Sequence, residues 1–224
     1  MKVQIFNNYF LIYNIMKYLK LYETFKFTGN DFISCDIQPE YEKYFSFKIY
    51  KYIDFLNKNH ENFNSITLLY NGYDTLGMIS EDDYKNWLLE NGLEEDVLDK
   101  IRCFDKGYAF FRFPLDYGIN DEMIIALIKY LYVNNINDSR DIDEDAWNEI
   151  EEFYGEEISL KAIRSLLENC EDSINIPDLM DFLKEFNSGN IVLTGGGMNE
   201  CLKEVELALN ALELKYELYN EFVY

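Results

Sequence analysis

Proline, histidine and closely spaced cysteines are scarce in this chain of 224 residues, which has 3 Pro, 1 His and 4 Cys. The cysteines, Cys35, Cys103, Cys170 and Cys201, show no C-x-x-C spacing. The sequence therefore indicates neither a zinc knuckle nor a disulfide framework. Scattered thiols of this kind fit a reducing compartment best, so we expect a cytoplasmic protein.

Long apolar runs are also missing. The longest run near the start, residues 9–13, is far below the roughly 20 residues that a membrane-spanning helix needs. No small-residue cleavage site follows this run, so the sequence predicts neither a membrane partner nor a secretory leader.

Positive charge is in short supply, since 20 Lys and Arg face 42 Asp and Glu, which gives a formal net charge of -22. Nucleic-acid binding draws its affinity from cationic neutralisation of phosphates, so we expect no nucleic-acid partner. What the chain has in quantity is apolar surface: 48% of residues are hydrophobic, with 19 Tyr and 17 Phe among the residues. A packed interior follows, and wholesale disorder is excluded.

Short apolar runs alternate with segments of helical periodicity along the chain. The pattern predicts strands at residues 32–35, 65–70, 109–113, 191–194 and 215–219, and helices at residues 42–57, from Ser80 onward, and at residues 121–132, 176–186 and 199–212. Such alternation predicts an α/β fold of three layers, α/β/α, with a mostly parallel central sheet.

The domain organisation is predicted to be one domain with two additions. Residues 1–30 form a helical extension, and residues 31–224 form the α/β domain. The window 138–160 holds ten acidic residues and one Arg, so it is predicted to be a solvated insertion rather than core.

In open α/β sheets ligands bind at the carboxyl ends of the strands, where Asp36, Asn71 with Asp74, and the turn from Gly195 to Cys201 are expected. Glycines let the backbone approach a ligand closely, and the following helix N-terminus offers unpaired N–H groups. A thiol at such a helix start is a candidate nucleophile.

Three short motifs resemble the isochorismatase-like superfamily of cysteine hydrolases. They are Cys35-Asp36-Ile37-Gln38, the run from Asp105 to Phe110 with Lys106, and Thr194-Gly195-Gly196-Gly197-Met198-Asn199-Glu200-Cys201. The resemblance implies a small-molecule hydrolase that cleaves an amide or related C–N bond, with Cys201 as nucleophile, Asp36 as general base and Lys106 in support. It also implies a cis peptide at Gly196 and Gly197, no cofactor, and a homo-oligomer.

Substrate contacts are predicted from the same motifs and from the strand ends. The residues are Gln38, Tyr70, Asn71, Tyr73, Arg112, Gly196, Gly197 and Asn199.

The chain departs from the family pattern in several places. The segment between Lys106 and Cys201 is about twice the usual length, so the resemblance implies an acidic helical insertion at residues 120–172. Met198 replaces a commoner Thr, and Glu200 adds a negative charge beside the thiol. A nicotinamidase-type metal site needs a cluster of Asp and His, whereas the one histidine, His60, stands in a loop-like context. No metal site is therefore expected.

Other readings of the same residues stay open. Cys201 as a small buried hydrophobe, Asp36 as a helix cap and Lys106 in an ordinary salt bridge would each be structural. Asp36, Asp74, Asp105 and Asp138 are alternatively the acidic cluster of a metal-dependent nuclease. A third hypothesis is a non-enzymatic acidic protein that binds a basic partner, as a nucleic-acid mimic does.

Overall fold

A computed structural model describes residues 28–74, 77–107, 121–135, 148, 176–187 and 189–224. Its strands are β1 (Asn30–Cys35), β2 (Phe63–Tyr70), β3 (Tyr73–Asp74), β4 (Gly77–Met78), β5 (Ile101–Asp105), β6 (Ile191–Gly195) and β7 (Tyr216–Leu218). Its α-helices are α1 (Ile49–Asn59), α2 (Glu81–Glu90), α3 (Glu95–Leu98), α4 (Asp121–Val133), α5 (Ile176–Leu183) and α6 (Cys201–Ala211). Short 3₁₀ helices cover Pro39–Tyr44, His60–Asn62 and Asn220–Phe222.

Five strands form a parallel sheet in the order β5-β2-β1-β6-β7, and β3 pairs with β4 as a separate antiparallel ribbon. The predicted α/β fold with a parallel central sheet is confirmed. The chain builds outward from β1 through β2 to β5 and then crosses to the other side of β1 with β6. The carboxyl ends of β1 and β6 therefore form the topological switch point, the place where doubly wound folds bind ligands.

Successive residues of each strand point to opposite sides of the sheet, and both sides are covered. Phe32 of β1 belongs to one core, which we call the aromatic face, and Ile33 belongs to the other, the aliphatic face. The aromatic face packs against α1 and α2 and includes Tyr52, Phe63 and Phe222. The aliphatic face packs against α4, α5 and α6 through side chains such as Leu127, Leu183, Leu193, Leu202 and Val205.

Helix α2 begins where the sequence predicts it, because Ser80 and Asp83 form a capping box. The Ser80 hydroxyl accepts a hydrogen bond from the Asp83 N–H, and the Asp83 carboxylate accepts one from the Ser80 N–H. The helix expected at residues 42–57 is instead divided. A 3₁₀ helix starts at Pro39, an extended residue at Phe45 ends it, and α1 begins at Ile49.

Three sequence expectations fall on residues outside those described: the extension before Thr28, most of the acidic insertion, and the strand at residues 109–113. The strand that the sequence missed is β5, which lies at one edge of the sheet. In the part of the chain that the structure describes, no helix combines the length and the apolar character needed to cross a membrane.

Candidate functional site

Asp36 follows β1 directly, at the switch point of the sheet. Its backbone has a φ of 48°, a left-handed conformation that costs a non-glycine residue about 1 kcal/mol. Two hydrogen bonds hold it there: the Asp36 N–H donates to the Leu69 carbonyl at 2.8 Å, and the Tyr224 hydroxyl donates to the Asp36 carbonyl at 2.9 Å. The side chain is fully buried, so its carboxylate needs a charged partner.

That partner is Lys106, the residue after β5. The Lys106 N–H donates to the Tyr70 carbonyl at 2.9 Å, which anchors the residue to the end of β2. Its Nζ lies 3.0 Å from Asp36 Oδ2 and 3.6 Å from Glu204 Oε2, and all three side chains are buried. The long lysine side chain thus reaches from the edge strand to the central strand across the end of β2.

The Asp36 carboxylate keeps unused acceptor capacity. Among the described residues, neither of its oxygens receives a hydrogen bond of ordinary geometry, although Lys106 lies close by. Buried polar atoms are nearly always hydrogen-bonded, so an exception at the switch point marks a place where a ligand or a reacting group can bind.

Three glycines form the turn between β6 and α6. Gly195 has a φ of 79°, and a Cβ on it would lie 2.2 Å from the Cys35 carbonyl oxygen. Gly196 has a φ of 66°, and a Cβ on it would lie 2.9 Å from the Leu202 nitrogen. Only glycine allows the end of β6 to lie this close to β1 and to the start of α6.

The turn differs from the expectation in one respect. No peptide bond among the described residues is cis, so the bond between Gly196 and Gly197 is trans. The last residue of the chain steadies the turn, because the Tyr224 N–H donates to the Gly196 carbonyl at 3.0 Å and the Met198 N–H donates to the Tyr224 carbonyl at 3.1 Å. Backbone pairing therefore shapes this loop without the cis bond.

Cys201 is the first residue of α6 and is half-buried. Its carbonyl accepts a weak hydrogen bond from the Cys35 thiol at 3.5 Å. Burial raises the pKa of the Cys201 thiol well above its usual value, and the adjacent Asp36 carboxylate raises it further, while Lys106 opposes both effects. The resting residue is therefore a neutral thiol placed beside a carboxylate that can accept its proton.

Glu204 lies one helical turn after Cys201 and completes the buried cluster. Burial is the main cause that raises its pKa to about 8, Lys106 acts to lower the pKa, and Asp36 acts to raise it. Near neutral pH this carboxyl therefore carries a proton for most of the time. Glu204 is not among the site residues predicted from the sequence, although its position three residues after Cys201 places it on the same helix face as Val205 and Ala208.

Lys106 holds its proton firmly. Burial alone would lower the pKa of the ammonium, but the carboxylates of Asp36 and Glu204 raise it, and their effect is larger. The charge of Lys106 is thus paired with the carboxyl groups around it, which a low-dielectric site requires of a buried ion.

Gln38 and Asn71 join the ends of β1 and β2. The Asn71 N–H donates to Gln38 Oε1 at 2.8 Å, and Gln38 Nε2 donates to the Asn71 carbonyl at 3.2 Å and to Glu40 Oε2 at 3.0 Å. Both residues are buried. The Gln38 side-chain amide therefore bonds the backbone of Asn71 and the carboxylate of Glu40.

The other predicted contacts divide into three groups. Tyr70 is buried on the aromatic face, where its ring stacks on Tyr84 at 5.0 Å, so it does not point toward Asp36. Tyr73 lies in β3, and Arg112 lies outside the described residues. Gly196, Gly197 and the exposed Asn199 belong to the turn before Cys201.

Asp105 has a different role from the one that the nuclease hypothesis needs. Its Oδ1 accepts hydrogen bonds from the N–H groups of Gly72 and Gly107, each at 2.9 Å, so the carboxylate holds two turns in place. Within the described ranges, no group of three or more His, Cys, Asp or Glu side chains is arranged to hold a metal ion. The carboxylate of Asp36 instead faces a lysine and a thiol.

The fold and the cluster together define an α/β protein in which a buried Asp-Lys pair lies beside a half-buried cysteine at the switch point. No protein-family model, curated protein or solved structure matches the chain. The geometry of the site is therefore the only guide to its chemistry.

Proposed function

We propose that the protein is a small-molecule hydrolase that cleaves an amide or a related C–N bond through Cys201. The observation that carries the proposal is the convergence of Asp36, Lys106 and Cys201, from three separate segments, on the carboxyl ends of β1, β5 and β6. A nucleophile beside a base, with the base held by a third charged group, is the common arrangement of covalent catalysis.

In the first step the Cys201 sulfur attacks the carbonyl carbon of the substrate, and Asp36 accepts the thiol proton. A C–S bond forms, and the π electrons of the carbonyl move to oxygen. When this intermediate collapses, the C–N bond breaks and the leaving nitrogen takes the proton from Asp36. The products are a free amine or ammonia and a thioester on Cys201.

In the second step water hydrolyses the thioester. Asp36 accepts a proton from the water as its oxygen attacks the carbonyl carbon, the C–S bond breaks, and the sulfur recovers the proton from Asp36. The acid leaves, and Cys201 is again a thiol. Lys106 stays charged throughout and holds the Asp36 carboxylate in place.

The raised pKa of Cys201 fits this sequence of events. A thiol that ionised freely would be exposed to oxidation and alkylation between turnovers. Here the proton moves to Asp36 only as the sulfur attacks, so nucleophile and base act as one unit.

The test is a panel of small amides with release of ammonia or amine as the readout. We expect Cys201→Ala to abolish release, and mass spectrometry of the wild-type protein quenched during turnover to show an acyl group on the peptide that contains Cys201. Cys103→Ala is the matched control, because Cys103 lies in β5 on the aromatic side of the sheet. Undiminished hydrolysis by Cys201→Ala would exclude the covalent mechanism.

A second candidate is a non-catalytic protein that binds a basic partner, which the net charge of -22 favours. This function predicts association that weakens steeply with added salt and no amine release from any amide. The same Cys201→Ala variant separates the two candidates, because it would bind the basic partner as the wild type does.

A further inference from the structure

Glu204 is a second buried carboxyl in the cluster, and the proposed hydrolysis assigns it no step. Its side chain is 4% exposed, and its Oε2 lies 3.6 Å from the ammonium that also pairs with Asp36 at 3.0 Å. Burying an acidic side chain on the apolar side of a helix costs free energy unless the group is neutral or paired. A buried acid beside the proposed nucleophile is therefore expected to have a role there.

The ionisation of Glu204 changes what Lys106 can do. When Glu204 carries a proton, the Lys106 ammonium forms an ion pair with Asp36 only. When Glu204 is ionised, two carboxylates share one ammonium, and the cluster gains a net negative charge beside Cys201. An added negative charge opposes formation of a thiolate and of the anionic intermediate that follows.

The charged surroundings of Glu204 are contributed by three segments. Lys106 after β5 and Asp36 after β1 face it directly, and Glu200 before α6 acts on it more weakly. On the neighbouring helix α4, the carboxylate of Asp121 is held by Lys203 at 2.6 Å. Glu204 therefore responds mainly to the Lys106 and Asp36 pair.

We propose that Glu204, through its contact with the ammonium that pairs with Asp36, is a positioning residue for Lys106, and that a negative charge on Glu204 suppresses the reactivity of Cys201. This inference rests on the proposed thiol chemistry and adds a limit to it: the site works with Glu204 neutral and is inhibited when Glu204 is charged. The transition is expected near pH 8.

The experiment measures the rate at which iodoacetamide alkylates Cys201 between pH 6 and pH 10, with the labelled peptide identified by mass spectrometry. No substrate is needed. We expect Glu204→Gln, which removes the charge but keeps the shape, to be alkylated about tenfold faster than the wild type at pH 9, and at an equal rate at pH 6.5.

Two controls keep the result interpretable. Glu206→Gln lies on the same helix, but Glu206 accepts a hydrogen bond from the Tyr216 hydroxyl at 2.9 Å, away from the cluster, so its profile should match the wild type. Alkylation of Cys103 in each variant reports whether the fold is intact. Should Glu204→Gln fold poorly, Glu204→Asp, which keeps the charge, is expected to retain the alkaline suppression.

The outcomes separate this inference from the proposed function. Equal Cys201 profiles for Glu204→Gln and the wild type would overturn the role of Glu204, and hydrolysis abolished by Cys201→Ala would still support the nucleophile. If the profiles differ as expected while Cys201→Ala hydrolyses amides normally, Glu204 controls the thiol but the thiol is not the nucleophile. Once a substrate is known, hydrolysis by the wild type should fall about tenfold between pH 7 and pH 9, and Glu204→Gln should lack that fall.

Discussion

The two faces of the sheet are buried to a similar degree but are built from different chemistry. On the aromatic face the Phe32 ring lies 4.9 Å from Phe63 and 5.6 Å from Phe55, and the Tyr84 hydroxyl donates to the Ile37 carbonyl. On the side of the aliphatic face, α6 places Cys201 and Glu204 against Asp36 and Lys106. The aromatic core and the cluster around Asp36 therefore lie on opposite sides of the same five strands. A substitution in the aromatic core can be made while the reactivity of the cluster is measured, and the reverse.

The largest effect is expected for Lys106→Met. This change leaves Asp36 as a buried charge without its ammonium, so the free energy of unfolding should fall by about 3–5 kcal/mol in a urea titration. Amide hydrolysis should be lost as well. Lys58→Met is the control, because Lys58 pairs with Asp54 at an exposed site, and it should change stability by less than about 0.5 kcal/mol.

For Phe32→Ala on the aromatic face we expect a similar loss of stability but no change in the reactivity of Cys201. Removal of the fully buried ring should lower the free energy of unfolding by about 3–5 kcal/mol. The pH profile of Cys201 alkylation should not change, because the ring lies on the opposite side of the sheet. A shifted profile would show that the two faces are coupled.

The pH dependence of stability sharpens the comparison. Glu204 keeps its proton up to about pH 8 when folded but releases it above its ordinary value of 4.5 when unfolded. Its contribution therefore makes stability fall as pH rises from about 4.5 to about 8, with no further fall above that range.

Glu204→Gln should remove this part of the pH dependence. At pH 9 the variant is expected to melt at least about 2–4 °C above the wild type, which corresponds to about 1 kcal/mol in a chain of this length. At pH 4.5 the difference should be much smaller. Thermal unfolding followed by circular dichroism at both pH values gives the answer, and a constant difference would assign the effect to packing.

The smallest effect is expected for Tyr84→Phe. The change removes the buried hydrogen bond of 2.9 Å that the Tyr84 hydroxyl donates to the Ile37 carbonyl. Its loss should lower the free energy of unfolding by about 1 kcal/mol. Because Ile37 follows Asp36, a small loss of hydrolysis together with this change would indicate that the aromatic face helps to orient the base.

Much of the fold follows from the sequence, because buried parallel strands are short apolar runs. Residues 32–35, 65–70 and 191–194 were predicted as strands, and the structure extends them only slightly. Strand β5 was missed because it is an edge strand in which the exposed Arg102 and Asp105 flank two half-buried residues. An edge strand lacks the continuous apolar run that identifies a central one.

The candidate site was predictable for the residues that follow strands or glycine turns, namely Asp36 and Cys201. Lys106 came only from the family resemblance, because a lysine next to an aspartate carries no positional signal of its own. Glu204 gives no such signal, since it lies in a helix with other charged residues, Lys203 and Glu206, that are common on protein surfaces. Its burial depends on the angle at which α6 packs, which the sequence pattern does not give.

The hydrogen bond from the Tyr224 hydroxyl to Asp36 joins residues 188 positions apart in the chain. Together with Lys106 and Cys201, it means that the site consists almost entirely of contacts between distant segments. Closing such long loops carries an entropic cost that must be met before the contacts can form. Because Cys201 and Tyr224 come from the last elements of the described chain, a nascent chain on the ribosome contains Asp36 and Lys106 long before it contains the thiol and the hydroxyl that contact Asp36.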